Sequence, residues 1–198
     1  MNRPNRAVRF FITALSWAAA ILYPAAVYAG IRTGHLAAVA LLLCAIALVR
    51  WIRSPTGGNL AIAAIAIALS AAALLFADAL PLKFYPVAMN AAFLFVFGRS
   101  LLSTPIVEKF ARMKEPDLPA QAAAYCRRVT QAWCVFFVLN GLAALDSALF
   151  RSDAWWTLYN GLIAYILIGA MFAGEFLIRT IVRRRTLGLE KPQGGGNA

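Results

Sequence analysis

The sequence predicts an all-α polytopic membrane protein of six transmembrane helices with both termini cytoplasmic. Two observations carry that expectation: long charge-free runs recur along the chain, and the basic residues fall on alternate connections. Of 198 residues, 62% are apolar and 14% charged, whereas soluble domains run nearer about 45–50% and 25%. An ordinary water-soluble enzyme is therefore disfavoured.

The runs are Phe10 to Ile31, Thr33 to Val49, Ser54 to Ala77, Phe84 to Gly98, Val129 to Leu145 and Ala154 to Gly174. A helix rises about 1.5 Å per residue, so roughly 20 residues cross a hydrocarbon core of about 30 Å. The first, third and last runs reach that length alone. The others reach it by taking in flanking residues whose charges snorkel, such as Arg50 and Arg99. The helices are placed at about 10–31, 34–52, 59–78, 84–103, 128–149 and 154–179, in a single membrane domain. A cytoplasmic loop over 104–127 and a flexible tail over 186–198 complete it.

With the N-terminus inside, 16 of the 19 cations lie on cytoplasmic segments, and only Arg32, Lys83 and Arg151 lie outside. The positive-inside rule is met at every loop. The net charge of +11 is thus a topology signal and an attraction for anionic lipid or acidic partners. It is not a nucleic-acid signature, because the cations are dispersed at helix ends.

The first segment also resembles a signal peptide, with a basic start, an apolar stretch and Val27-Tyr28-Ala29 as a cleavage site. Its apolar run exceeds the usual length and continues past Pro24, which favours an uncleaved helix. Helices two and three, rich in Ala, Leu, Ile and Val, read as scaffold joined by the turn Pro55-Thr56-Gly57-Gly58-Asn59. Ala79-Leu80-Pro81 is expected to interrupt the chain before helix four.

In the loop that follows, Thr104-Pro105 resembles a helix start. Ile106, Phe110 and Met113 then recur on one side, with Glu108, Lys109, Arg112 and Lys114 supplying charge. A short amphipathic helix on the cytoplasmic interface is expected there, ended by Glu115-Pro116-Asp117-Leu118-Pro119. Lys109, Arg112, Lys114, Arg127 and Arg128 form the candidate docking or lipid-contact face.

Asn90, Asn140 and Asn160 lie within helices four, five and six, where an amide without a partner is costly. A cluster of the three, tying those helices together, is expected. Thr130, Trp133, Phe137, Asn140 and Ala144 share one helical face, which fits a packed interface. Glu175 follows a long charge-free run and stands one turn before Arg179, so a local ion pair is expected, with a bridge to Arg99 as the alternative. Asp78, Asp146 and Asp153 lie too near helix ends to demand a role. The three cysteines suggest no disulfide framework, and His35, the single histidine, has no ligand neighbours at metal spacing. No cofactor, metal or catalytic constellation is expected.

Ordered pieces of the second half resemble a family of bacterial inner-membrane proteins associated with aryl polyene and xanthomonadin-type pigment gene clusters. The pieces are Tyr85-Pro86 with Met89-Asn90, Pro105-Ile106 with Glu108 and Ala111-Arg112, Glu115-Pro116 with Leu118-Pro119, and Tyr125 with Arg127 and Thr130. Downstream come Trp133 with Phe136-Phe137 and Asn140, Trp156 with Tyr159-Asn160-Gly161, and Gly174-Glu175 with Arg179. The resemblance covers residues 84 to 179 and implies a pathway served by fatty-acid-synthase-like enzymes. It assigns no catalytic residue. A non-catalytic accessory protein that recruits synthases, such as an acidic acyl carrier protein, or handles their product is the expected function. A small transporter or flippase is the alternative, for which a homo-oligomer could supply the pathway.

Overall fold

The computed structural model describes residues 22–53, 55–113 and 115–189, with side chains through residue 180. The first part of the expected first helix, Lys114 and the last nine residues of the tail fall outside them. The chain divides after Ala164 into two units. Among the described residues every regular element is helical.

The first unit begins with α1, described over residues 22–33. Gly34, at φ 74°, turns the chain in the left-handed region that glycine enters without steric cost. α2 (Leu36–Arg53) and α3 (Gly57–Phe76) follow. Thr56 caps α3, its side chain accepting from the Asn59 amide at 3.3 Å, so the helix starts two residues earlier than expected. The two helices form an antiparallel hairpin, and Arg50 donates to Asn59 across its turn. Its buried positions are all small: Ala40 and Ala47 on α2, and Ala63, Ala66, Ser70 and Ala73 on α3. Small residues at three- and four-residue spacing let backbones approach closely where lipid offers no hydrophobic drive for association.

α3 ends on Ala77, a non-glycine residue at φ 49°, whose amide bonds back to Ala73 O together with that of Asp78. A left-handed alanine is strained because its Cβ crowds the next carbonyl. Ala77→Gly is therefore expected to stabilise the protein by about 0.5–1 kcal/mol, read as a rise in detergent melting temperature.

The chain does break before the fourth helix, over residues 77–79, but Leu80 and Pro81 belong to the first turn of the helix that follows and not to the interruption. Asp78 Oδ1 accepts from the Leu80 amide at 2.9 Å, and α4 (Leu80–Lys83) carries proline in its first turn, where the missing N–H costs nothing. α5 (Tyr85–Ser100) continues after a joint at Phe84. The amphipathic helix forms as α6 (Ile106–Arg112).

α7 (Ala120–Phe150) starts eight residues before the expected boundary at 128, so the loop is shorter than the predicted 104–127. Charge-free runs detect only the part of a helix inside lipid. Here Pro119 sets a start and Ala120-Gln121-Ala122-Ala123-Ala124 is strongly helix-forming, so two further turns precede the charge-free run. α8 (Asp153–Leu158) follows, capped by Ser152, whose side chain accepts from the Trp155 amide. A π-turn over Tyr159–Ile163 leads into α9 (Ala164–Leu189). α9 runs ten residues past the predicted end at 179 and takes in the first four positions of the expected tail. No proline interrupts that stretch.

Among the described residues five helical stretches are long and apolar enough to cross a membrane: Leu36–Arg53, Gly57–Phe76, Leu80–Ser100, Ala120–Phe150 and Asp153–Thr180. Their large apolar side chains are widely exposed, including Leu41, Phe95, Leu139 and Leu142. That is the surface expected of helices solvated by lipid.

Candidate functional site: a polar layer between α5, α7 and the π-turn

α5 and α7 pack antiparallel. Residues 126, 130, 133, 137, 140, 144 and 147 of α7 are all buried, an alternating four-and-three spacing that keeps one seam facing a partner. Toward one end the seam is aromatic. Phe137 stacks on Phe93 at 5.4 Å and meets Phe97 edge-on at 5.1 Å, and Trp133 adjoins both Phe97 and Phe137.

At Asn140 the seam becomes polar. Asn140 Nδ2 donates to Asn90 Oδ1 at 3.0 Å, Asn90 Nδ2 donates to Pro86 O at 2.8 Å, and Tyr159 OH donates to Asn140 Oδ1 at 2.9 Å. Gly141 permits this approach, since a Cβ there would stand 3.2 Å from Asn90 Cβ. Asn160 bonds elsewhere. Its Nδ2 donates to Ser147 Oγ at 3.1 Å and to Trp156 O at 2.9 Å. Asn140 and Ser147 are one heptad apart on α7, about 10 Å along its axis, so the three asparagines occupy two levels.

The π-turn makes both levels reachable from one helix. The Ala164 amide bonds to Tyr159 O, one residue further back than in an α-helix. The extra residue leaves the adjacent Tyr159 and Asn160 both bonded to α7. Such turns are frequent at functional sites, and no composition or charge signal announces one.

A second cluster joins α1, α4 and α8. Pro86 has no N–H, so the Leu82 carbonyl loses its normal helical donor four residues on. Tyr23 OH donates to that carbonyl, and Trp156 Nε1 donates to the next, Lys83 O, at 3.1 Å. Trp156 is fully buried, and Tyr23, Val27, Ala40, Ala73, Leu82 and Ala148 complete the cluster. Lys83 is only 8% exposed and pairs with Asp153 at 2.8 Å. Sequence reasoning treated Lys83 as a loop cation and Asp153 as incidental. The proline four residues after Leu82 was the available sign that something must bind that carbonyl.

The remaining acids expected to be incidental are also engaged. Asp146 pairs with Arg151 at 2.9 Å, and Asp78 caps α4. Glu175, half-buried, and Arg179, exposed, stand one turn apart on α9 in the second unit, while Arg99 lies in the last turn of α5. Arg112 pairs with Glu108 at 2.8 Å and donates to Pro116 O, and Arg127 donates to Leu101 O at 2.9 Å. Lys109 and Arg128 are exposed, and Lys114 lies outside the described residues.

Among the described residues, Ser70 Oγ is the one buried side-chain polar atom without a hydrogen-bond partner. The asparagine layer is thus closed by its own bonds. No group of three His, Cys, Asp or Glu among those residues is placed to hold a metal ion. No family model matches the chain, and neither does any curated protein or solved structure.

Proposed function

We propose that the protein is a six-span component of a bacterial inner membrane, with both termini cytoplasmic, that acts without catalysing a reaction itself. It supports an aryl polyene or related acyl-chain pathway by recruiting soluble synthases or handling their product. One observation supports this reading above others: the cation-bearing helix α6 is braced rather than loose. It packs along α7, its start is held by the Ile106 amide donating to Ser100 Oγ at 3.0 Å, and Arg127 ties α7 to Leu101. A fixed platform carrying Lys109 and Arg128 beside the membrane suits an acidic carrier protein, whose attraction would be steered by charge.

The test is co-purification of the full-length protein with the pathway's acyl carrier protein. Recovery is expected to fall several-fold between low and moderate salt, as a screened charge contact requires, and to fall likewise when Lys109, Arg112 and Arg128 are changed together to glutamine. Undiminished recovery from the triple variant would remove the docking reading.

The transporter reading draws on the π-turn and its tyrosine. Movement of a lipidic substrate in reconstituted vesicles, lost in Tyr159→Phe, would favour it.

A further inference from the structure

Beside the end of α5 lies a groove of about 460 Å³ lined by Phe95, Val96, Arg99, Ser100, Leu102, Ser103, Ile106 and Lys109. Its volume is in the range of small-molecule sites. The lining separates by chemistry. Phe95, Val96, Leu102 and Ile106 are apolar, the first two lying one helical turn deeper in the span than Arg99. Arg99 and Lys109 are exposed cations from different helices, and no carboxylate lines the groove. Glu108, the acid next to Lys109, is held by Arg112.

The groove is also built. The chain leaves α5 through successive tight turns, with Leu101, Leu102 and Ser103 amides bonding to Gly98, Arg99 and Ser100 carbonyls. Ser100 is buried, and its Oγ donates to Phe97 O at 2.6 Å while accepting from the Ile106 amide. That hydroxyl fastens α6 to α5 and fixes the separation of the two cations' helices.

We infer that this groove is a binding site for the headgroup of an anionic phospholipid, its phosphate between Arg99 and Lys109 and its acyl chain along Phe95 and Val96. Charge complementarity selects the head, because two cations face a mouth without acids. The apolar wall continues into the membrane and selects a lipid over a free ion. Basic pockets beside membrane helices hold such headgroups. The inference rests on the membrane placement of α5 and not on the pathway reading, so loss of carrier docking leaves it intact.

The experiment is native mass spectrometry of the full-length protein in detergent, titrated with phosphatidylglycerol, phosphatidylcholine or inorganic phosphate. Phosphatidylglycerol adducts are expected to exceed phosphatidylcholine adducts at least fivefold, and to fall at least fivefold in Arg99→Gln and in Lys109→Gln. Arg53→Gln, an exposed cation at the end of α2 outside the groove, is expected to leave them unchanged. Lys109 lies on the exposed side of a short helix, so its variant decides the matter should Arg99→Gln prove hard to purify. Two results would overturn the proposal: equal adducts in all variants, or displacement of the lipid by millimolar phosphate.

Discussion

Trp156→Ala is expected to lower stability by about 3–5 kcal/mol, the usual cost of emptying a buried tryptophan site. In a chain of this size that is a fall in melting temperature on the order of 10 °C, measured in mild detergent. Two losses combine. The indole fills the fully buried centre of the cluster between α1, α4 and α8, and its N–H serves the Lys83 carbonyl. Trp156→Phe separates them, since it keeps most of the ring and removes only the donor. Its expected cost is about 1–3 kcal/mol. If phenylalanine proves as damaging as alanine, the hydrogen bond and not the packing dominates, and the account of the cluster must change.

Asn140→Leu carries the second large effect. Leucine removes a group that bonds to Asn90 on one side and to Tyr159 on the other, leaving two polar side chains facing an apolar one. About 2 kcal/mol or more should be lost, because a buried group stripped of its partner keeps its desolvation cost. Asn90→Leu combined with Asn140→Leu should cost less than the sum of the single changes. Coupling of about 0.6–1.7 kcal/mol is expected for a bond between membrane helices. Strict additivity in a double-mutant cycle would show that Asn90 and Asn140 do not support one another.

How far the sequence reveals this arrangement depends on the physics behind each feature. Candidate spans are legible because lipid excludes charge, and the second, fourth and fifth runs end at Arg50, Arg99 and Asp146. Helix ends outside lipid are not, which is why the turns of α7 around Ala120 were read as loop. Pro81 was ambiguous, since proline breaks a helix in its interior and starts one in its first turn. Asn90 and Asn140 stood out as amides among apolar residues, yet their partner Tyr159 did not, because a tyrosine in a membrane helix passes as packing or interface. The pairing of Lys83 with Asp153 joins residues 70 positions apart. No local pattern links them, and each alone looks like an ordinary flanking charge.

The capped carbonyls at the α4–α5 joint have a consequence for biogenesis. The gap that Pro86 opens in the fourth helix is filled by a residue made long before it, Tyr23, while the neighbouring Lys83 carbonyl waits for Trp156, made more than 70 residues later. The entrance of that helix is therefore complete only once Trp156 is in place. A nascent chain stalled before Asp153 should remain protease-sensitive around Leu80, and release of α8 should end that sensitivity.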